Sequence, residues 1–160
     1  EILKSVPSAH LLLVGEGPYR EHLQNLVKQH KLENSVTFIG RIQYNDLPMY
    51  ICAGDIFAMP CRSRLMGLEV EGLGIVYLEA SACGLPVLAG NSGGAPDAVV
   101  QNKTGLVVDG TDHKQIATAA IELLTNVELS QKMGIAGRQW IIDNWRWETW
   151  SKEFEELLNQ

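Results

Sequence analysis

The sequence predicts an α/β fold, in which a parallel β-sheet carries helices on both of its faces. Strand patterns alternate with helical patterns from His10 to Val108, which is the order expected of parallel strands joined by crossover helices. Each strand pattern is a continuous apolar run, as in residues 10–14 and 36–39, and such runs are typical of strands that are buried on both faces. Glycine or proline closes most of the runs. These observations predict one three-layer domain.

Five strand patterns follow one another along the chain. They cover residues 10–14, 36–39, 56–59, 86–89 and 105–108. Ligands on parallel sheets bind beyond the carboxyl ends of the strands, so the loops near those ends are candidate site loops. We expect five loops to converge on one cleft, namely 15–17, 40–41, 60–64, 71–74 and 90–94.

Three helical patterns precede residue 60. The chain opens in what the sequence predicts to be the end of a helix. Pro18 suits the first turn of a second helix, whose apolar residues recur at three- and four-residue spacing. Asn45 is a candidate N-cap for a third helix over residues 46–53.

The helical patterns after residue 60 include the one that matters most for function. The pattern of residues 74–83 predicts a helix that ends at Gly84. A further helix is predicted after the glycine pair at 93–94, as far as Val100. Asp112 is the expected N-cap of a helix that reaches about residue 124, and the remainder of the chain is predicted to be helical.

The composition and net charge of the chain argue against several classes of function. Apolar residues make up 46% of the chain and charged residues 20%, as in an ordinary globular domain. The net charge of −6 disfavours nucleic-acid binding and a dominant polybasic membrane patch. No apolar run approaches the roughly 20 residues of a transmembrane helix. Cys52, Cys61 and Cys83 are expected to be reduced thiols, not disulfides or metal ligands.

Residues 71–90 hold the most informative pattern in the chain. Glu71 and Glu79 stand eight positions apart, with glycines after the first and a strongly apolar helical pattern around the second. The glycines let the backbone approach a ligand closely, and a helix N-terminus offers backbone N–H groups to an anion. A carboxylate in so apolar a helix needs a partner when it is buried. Together these features favour a ligand with hydroxyls and phosphate, such as a nucleotide sugar.

The same residues resemble the signature of the retaining GT-B glycosyltransferases of family 4. The similarity includes both glutamates and the segments 84–89 (GLPVLA) and 93–97 (GGAPD). A longer string over residues 60–81 is similar to the actinobacterial mannosyltransferases that act on phosphatidylinositol mannosides with GDP-mannose. The resemblance implies a Rossmann-like domain, the C-terminal half of a GT-B fold.

The resemblance also assigns roles to residues of the candidate site. Glu71, the expected catalytic residue, would hold hydroxyls of the donor sugar, and Glu79 would hold the ribose. Backbone N–H groups at the start of the helix would face the diphosphate, where they would stabilise the charge that develops on the leaving group. The residues expected to line this part of the site are Gly72, Leu73, Gly74, Ile75 and Val76.

Three further residues are candidates for nucleotide contacts. By the resemblance, Arg41 and Ile42 lie where the nucleobase is held, largely through backbone groups. Arg62 is favoured over Arg64 as a phosphate ligand, because a guanidinium fork beside the cleft suits phosphate. Each of these arginines could instead be a solvated surface charge.

The resemblance further implies what the intact protein contains. Residues 1–160 are expected to be an excised C-terminal donor-binding domain, inactive without an N-terminal domain that supplies the acceptor site. The expected enzyme is a hexosyltransferase that moves mannose from GDP-mannose to a phosphatidylinositol mannoside lipid, with no required metal or other cofactor. A cytoplasmic location is expected, with peripheral contact between the intact enzyme and the inner face of the plasma membrane.

Several alternatives stay open at this point. The donor could be another nucleotide sugar, such as UDP-glucose with a non-lipid acceptor, or the domain could bind a nucleotide sugar without catalysis. A Rossmann oxidoreductase is disfavoured, because Gly15 and Gly17 are followed by Arg20 where the dinucleotide fingerprint has glycine. Asp97 replaces the glutamate usual in the family and is predicted to be structural. The C-terminal tryptophans are expected to pack a terminal helix, and the histidines lack metal-ligand spacing.

Overall fold

A computed structural model, which describes residues 1–159, confirms the α/β alternation. Three 3-10 turns cover Tyr44–Asp46, Leu65–Gly67 and Ala95–Ala98. The regular elements in chain order are α1 (Ile2–Ser5), β1 (Leu11–Val14), α2 (Arg20–Gln29), β2 (Val36–Gly40), α3 (Leu47–Cys52), β3 (Phe57–Met59), α4 (Ile75–Ala82), β4 (Val87–Gly90), β5 (Gly105–Val108), α5 (His113–Thr125), α6 (Val127–Asn144) and α7 (Trp147–Leu158).

All strand pairs are parallel, as predicted, but the strands form two sheets. One sheet pairs β1 with β2, and the other has the order β3-β4-β5. In the second sheet, Leu88 of β4 lies in register with Ala58 on one side and Leu106 on the other. The strand β4 is therefore the centre of the larger sheet.

The hydrophobic core covers both faces of the three-stranded sheet. Val87 and Ala89 belong to one buried cluster, which includes Tyr77 and Ala80 of α4. Leu88 belongs to a second cluster, with residues of α5 and α6. Because successive side chains of a strand point to opposite faces, this alternation places α4 on one face and α5 and α6 on the other. The predicted three-layer arrangement is confirmed for this sheet.

The sheet of β1 and β2 carries much less buried surface. Leu11, Leu12 and Val14 of β1 are all exposed, and every side chain of α2 is at least partly exposed. This half therefore buries little apolar area. Since stabilisation by packing grows with the apolar area removed from water, it contributes little to the stability of the described fold.

Two of the predicted helix signals are correct. The Asp112 carboxylate accepts hydrogen bonds from the backbone N–H groups of Lys114 at 2.9 Å and Gln115 at 3.0 Å, and so caps α5. The helix α4 ends before Gly84, whose φ of +82° is in the left-handed region that glycine tolerates.

Three other helix predictions were wrong. Pro18 does not lie in the first turn of α2, because this helix begins at Arg20 with Tyr19 as its N-cap. Asn45 does not cap α3, because it lies inside the turn Tyr44–Asp46 and the helix begins only at Leu47, with Pro48 in its first turn. The helix predicted as far as Val100 is the short turn Ala95–Ala98, because Val99 is extended, with φ −142° and ψ 125°.

The C-terminal tryptophans pack α7 on α6, with one exception. The ring centroid of Trp145 lies 5.7 Å from that of Trp140 and 6.0 Å from that of Trp150. Trp147 is instead largely exposed. Across residues 1–159, the helices include none that is both long and apolar enough to span a bilayer.

Candidate functional site

The candidate site is built around the N-terminus of α4. Gly74 is the N-cap and has a φ of +74°. A Cβ at this position would also overlap the ring of Tyr77. Gly74 is therefore required by the start of the helix itself. At Gly72, by contrast, the space where a Cβ would lie is open, which leaves room for a ligand on that side of the backbone.

Tyr77 anchors α4 to the end of β3. The single proton of its buried hydroxyl is shared between two acceptors, the Met59 carbonyl at 2.6 Å and the Cys61 sulfur at 3.1 Å. Burial raises the pKa of Tyr77 well above its usual range, and the hydrogen bond to Cys61 raises it further. The hydroxyl therefore stays a donor, and it fixes the direction in which the N-terminus of α4 points.

The loop that carries Glu71 is held by the loop after β4. The Glu71 backbone N–H donates to the Ser92 hydroxyl at 3.3 Å, and the Gly94 N–H donates to the Glu71 carbonyl at 3.1 Å. Ser92 is 2% exposed and also hydrogen-bonds the Ser63 hydroxyl at 3.1 Å. A Cβ on Gly93 would overlap the Glu71 carbonyl. One buried serine after β4 is thus hydrogen-bonded to two points of the long segment between β3 and α4.

The Glu71 carboxylate lies beside the helix start. One of its oxygens accepts a hydrogen bond from the Gly72 N–H at 3.1 Å, and the residue is only partly buried. A carboxylate that is fixed in this way and still reachable by solvent can accept hydrogen bonds from ligand hydroxyls.

The second glutamate faces a pocket between α3 and α4. The Tyr44 hydroxyl donates a hydrogen bond to the Glu79 carboxylate at 3.2 Å. The pocket has a volume of about 520 Å³, which is in the range of small-molecule sites. Tyr44 is therefore the hydrogen-bond partner that a carboxylate in an apolar helix needs. The sequence analysis did not identify Tyr44. The pocket is lined by Tyr44, Leu47, Ile51, Glu79, Ala82 and Cys83, among others.

The predicted nucleobase residues lie close in sequence to this pocket. Arg41 and Ile42 follow β2 directly and precede the pocket residue Tyr44 by two or three positions. Arg41 is exposed and Ile42 is partly buried. The loop at Gly15 joins the same end of the sheet, because its N–H donates to the Gly40 carbonyl at 2.8 Å.

The two arginines after β3 differ in their surroundings. Arg64 forms an ion pair with Glu69 at 3.4 Å, and the backbones of these two residues are also hydrogen-bonded. Arg62 is exposed and lies between Cys61 and Ser63, both of which contact the loop after β4. These neighbours hold the segment around Arg62 near the end of β4, and that Arg62 binds phosphate stays a prediction.

The order of groups along the site follows from these contacts. Glu79 is four residues beyond Ile75, so it lies about 6 Å along the axis of α4 from the helix start. Along the chain, the helix start, with the backbone N–H groups of Ile75 and Val76, lies between the Glu71 loop and Glu79. Carboxylate, helix N-terminus and carboxylate are arranged in that sequence.

The sequence prediction missed the residues that hold this arrangement. Tyr44, Tyr77 and Ser92 each contact a site element far away in the chain. In the part of the chain that the structure describes, no group of three or more His, Cys, Asp or Glu is placed to hold a metal ion. That the reaction needs no metal stays a prediction.

The chain is similar to known proteins over nearly its whole length. The family model described as "Glycosyl transferases group 1" matches residues 1–140. A curated protein of Mycolicibacterium smegmatis, named GDP-mannose-dependent alpha-(1-6)-phosphatidylinositol monomannoside mannosyltransferase, is 50% identical over 159 residues. That match covers 99% of this chain and 42% of the relative, so the chain spans less than half of the relative's length.

Two solved structures share the fold. Sucrose-phosphate synthase of Thermosynechococcus elongatus has a TM-score of 0.86 and 30% identity, and the match covers 99% of this chain and 40% of that one. The C-terminal domain of a glycosyl transferase group 1 family protein (LpcC) of Francisella tularensis has a TM-score of 0.79 and 27% identity. In that case 91% of this chain and 74% of the other are covered.

Proposed function

The chain belongs to the group 1 glycosyl transferases, and we propose that it is the donor-binding domain of a retaining mannosyltransferase that uses GDP-mannose. The intact hexosyltransferase transfers mannose to a phosphatidylinositol mannoside lipid. The arrangement of Glu71, the N-terminus of α4 and Glu79 carries the proposal. The name of the relative that is 50% identical supports the choice of donor and acceptor.

Each part of the donor has a counterpart along the site. Glu79 and the pocket beside it hold the ribose and the nucleobase, with Arg41 and Ile42 on the base side. The N-terminus of α4 holds the diphosphate, because backbone N–H groups and the helix dipole favour an anion there. Arg62 adds a guanidinium to the same charge. Glu71 accepts hydrogen bonds from the hydroxyls of mannose.

The same groups can promote the transfer. As the bond between mannose and the β-phosphate breaks, negative charge grows on the phosphate oxygen, and the N–H groups at the start of α4 stabilise it. The acceptor hydroxyl forms its new bond on the face that the diphosphate leaves, and its proton passes to the departing phosphate. The configuration is therefore retained, and Glu71 keeps the sugar oriented throughout.

The partners of the intact enzyme complete the proposal. The lipid acceptor binds through a further domain, which also accounts for an expected lack of transfer by this chain alone. Backbone N–H groups and arginines carry the diphosphate charge, so a resident metal is not required. We place the enzyme in the cytoplasm, with peripheral contact at the inner face of the plasma membrane, where a lipid acceptor would be reached.

Calorimetric titration of the chain with GDP, UDP and ADP tests the nucleotide assignment. We expect GDP to bind most tightly. In Glu79→Ala, the loss of a hydrogen bond to a charged group should weaken GDP binding by about 1.5–3 kcal/mol. Glu122→Ala removes an exposed glutamate of α5 and should bind GDP like the parent.

The outcomes separate the candidate donors. Tighter binding of UDP would favour a UDP-sugar donor, such as UDP-glucose with a non-lipid acceptor. Unchanged GDP affinity in a folded Glu79→Ala chain would refute the role of Glu79, and no binding of any nucleotide would refute the claim that this chain forms the nucleoside site.

A further inference from the structure

The C-terminal end of α4 is completed by a side chain of α6. The Gly84 N–H donates to the Ser81 carbonyl at 2.9 Å, and the left-handed φ of Gly84 is typical of the turn that ends a helix. The carbonyl of Ala82, the last residue of α4, instead accepts a hydrogen bond from the guanidinium of Arg138 in α6. A residue 56 positions away in the chain thus closes the helix that carries Glu79.

The helix α6 also packs closely on this end of α4. A Cβ on Gly134 would overlap the Gly84 carbonyl, and a Cβ on Gly137 would lie 3.4 Å from the Ser81 side chain. Gly134 and Gly137 are buried, whereas Arg138 is exposed. The two helices are therefore in close contact at this point, and Arg138 reaches α4 from the exposed edge of the contact.

Two side-chain contacts fix α4, and Glu79 lies between them. Near the N-terminus, the Tyr77 hydroxyl holds the helix to the end of β3. At the C-terminus, Arg138 holds the Ala82 carbonyl. Glu79 begins the last turn of α4, because its own carbonyl accepts the Cys83 N–H at 3.1 Å. Loosening of that last turn would therefore reach Glu79 before it reached the helix start, which Tyr77 holds.

We propose that Arg138 is a positioning residue for the donor nucleoside, which acts through the last turn of α4 on the Glu79 carboxylate. Its guanidinium satisfies a carbonyl at the helix end, and a positive charge is favourable where the negative end of the helix dipole lies. Within residues 1–159, the ion pairs involve other residues, so this guanidinium is available to the helix end. The inference rests on the proposed role of Glu79 in nucleoside binding.

Titration of GDP into variants of the 160-residue chain measures the effect. Arg138→Met keeps most of the side-chain length but removes the donor and the charge. It should lower GDP affinity about threefold to tenfold, within the range of coupling between residues that share one network. Arg138→Lys keeps the charge and a donor and should lose less. Lys132→Met removes another exposed charge of α6 and should bind GDP like the parent.

A double-mutant cycle separates positioning from structural support alone. If Arg138 acts through Glu79, Arg138→Met should weaken GDP binding in the parent but hardly at all in a Glu79→Gln chain. A residue that only stabilises the fold would not show this dependence on Glu79. Equal losses of GDP affinity in the two backgrounds, or no loss in the parent, would overturn the proposal.

Hydrogen exchange tests the contact between the helices without any nucleotide. In the free chain, Arg138→Met should speed the exchange of the amides of residues 83–85, which close α4, because that turn would open more often. Lys132→Met should not change it. Unchanged exchange in Arg138→Met would overturn the proposed action on the helix end.

The failure of this inference differs from the failure of the proposed function. A parent chain that binds no nucleotide would refute the proposed function, and with it the role of Arg138 in nucleoside binding. A parent chain that binds GDP, together with a folded Arg138→Met chain of equal affinity, would refute the role of Arg138 alone.

Discussion

The two sheets of this protein differ sharply in how far their apolar strands are buried. Leu88 of β4 is fully buried, whereas Leu11 and Leu12 of β1 are 48% and 37% exposed. Both strands are continuous apolar runs, a pattern typical of parallel strands covered on both faces. A continuous apolar run therefore predicts a strand, but it does not predict how deeply that strand is buried.

The candidate site spans this contrast. The end at Glu71, which we propose holds the sugar and call the sugar end, is hydrogen-bonded to the larger sheet through Ser92 and Gly94. At the other end, which we propose holds the nucleoside and call the nucleoside end, Glu79 is hydrogen-bonded to Tyr44 of the segment that leaves β2. Regions with few buried apolar contacts open locally at low free-energy cost. We therefore expect the nucleoside end to be the more easily perturbed of the two.

The largest expected effect is the loss of unfolding free energy when a leucine of the larger sheet is truncated, compared with a leucine of the smaller sheet. Leu88→Ala removes a fully buried side chain and should lower the free energy of unfolding by about 2–5 kcal/mol. Leu12→Ala, on the partly exposed β1, should cost about 1 kcal/mol or less, because less area leaves water there. Urea unfolding measures both, and equal losses would contradict the contrast.

A smaller effect is expected at the buried serine of the sugar end. Ser92→Ala leaves the Glu71 N–H and the Ser63 hydroxyl without their partner, which should cost about 1–3 kcal/mol of unfolding free energy. It should also weaken binding of GDP-mannose more than binding of GDP. Ser63→Ala keeps the bond from Glu71 and is the matched control. An equal loss in the two variants would mean that Ser92 does not position Glu71.

The smallest effect is expected at the nucleoside end. Tyr44→Phe removes the hydroxyl that contacts Glu79 and should weaken GDP binding by about 0.5–1.5 kcal/mol. Tyr44 is 76% exposed, so the free energy of unfolding should hardly change. Tyr19→Phe changes another exposed tyrosine and serves as the control in the same titration. If both variants bind GDP alike, the Tyr44 contact does not orient Glu79.

Local chemistry explains why some elements could be predicted from the sequence. The bounds of β5 agree with the prediction, because a glycine opens the run of apolar residues 105–108 and an aspartate follows it. The start of α5 agrees because an N-cap bond is a local interaction between Asp112 and the next three residues. The position of α4 agrees because glycines mark both of its ends.

The failures come from interactions that the local sequence does not encode. Asn45 has a side chain that can cap a helix, but it lies within the 3-10 turn Tyr44–Asp46, and α3 begins only at Leu47. The residues after Gly94 pack into the core in a 3-10 turn instead of extending a helix. The contact between Tyr44 and Glu79 joins residues 35 positions apart. The neighbouring glycines, the apolar helix pattern and the family resemblance pointed to the two carboxylates, but not to the side chains that hold them.

The central claim is that Glu71 meets the sugar and Glu79 meets the nucleoside. The most direct test titrates GDP and GDP-mannose into Glu71→Gln and Glu79→Gln, with thermal melts to confirm that both variants are folded. Glu71→Gln should leave GDP affinity nearly unchanged and weaken GDP-mannose alone, because its carboxylate contacts hydroxyls that GDP lacks. Glu79→Gln should weaken both ligands by similar factors. If Glu71→Gln weakens GDP as much as GDP-mannose, the proposed order of groups along α4 is wrong.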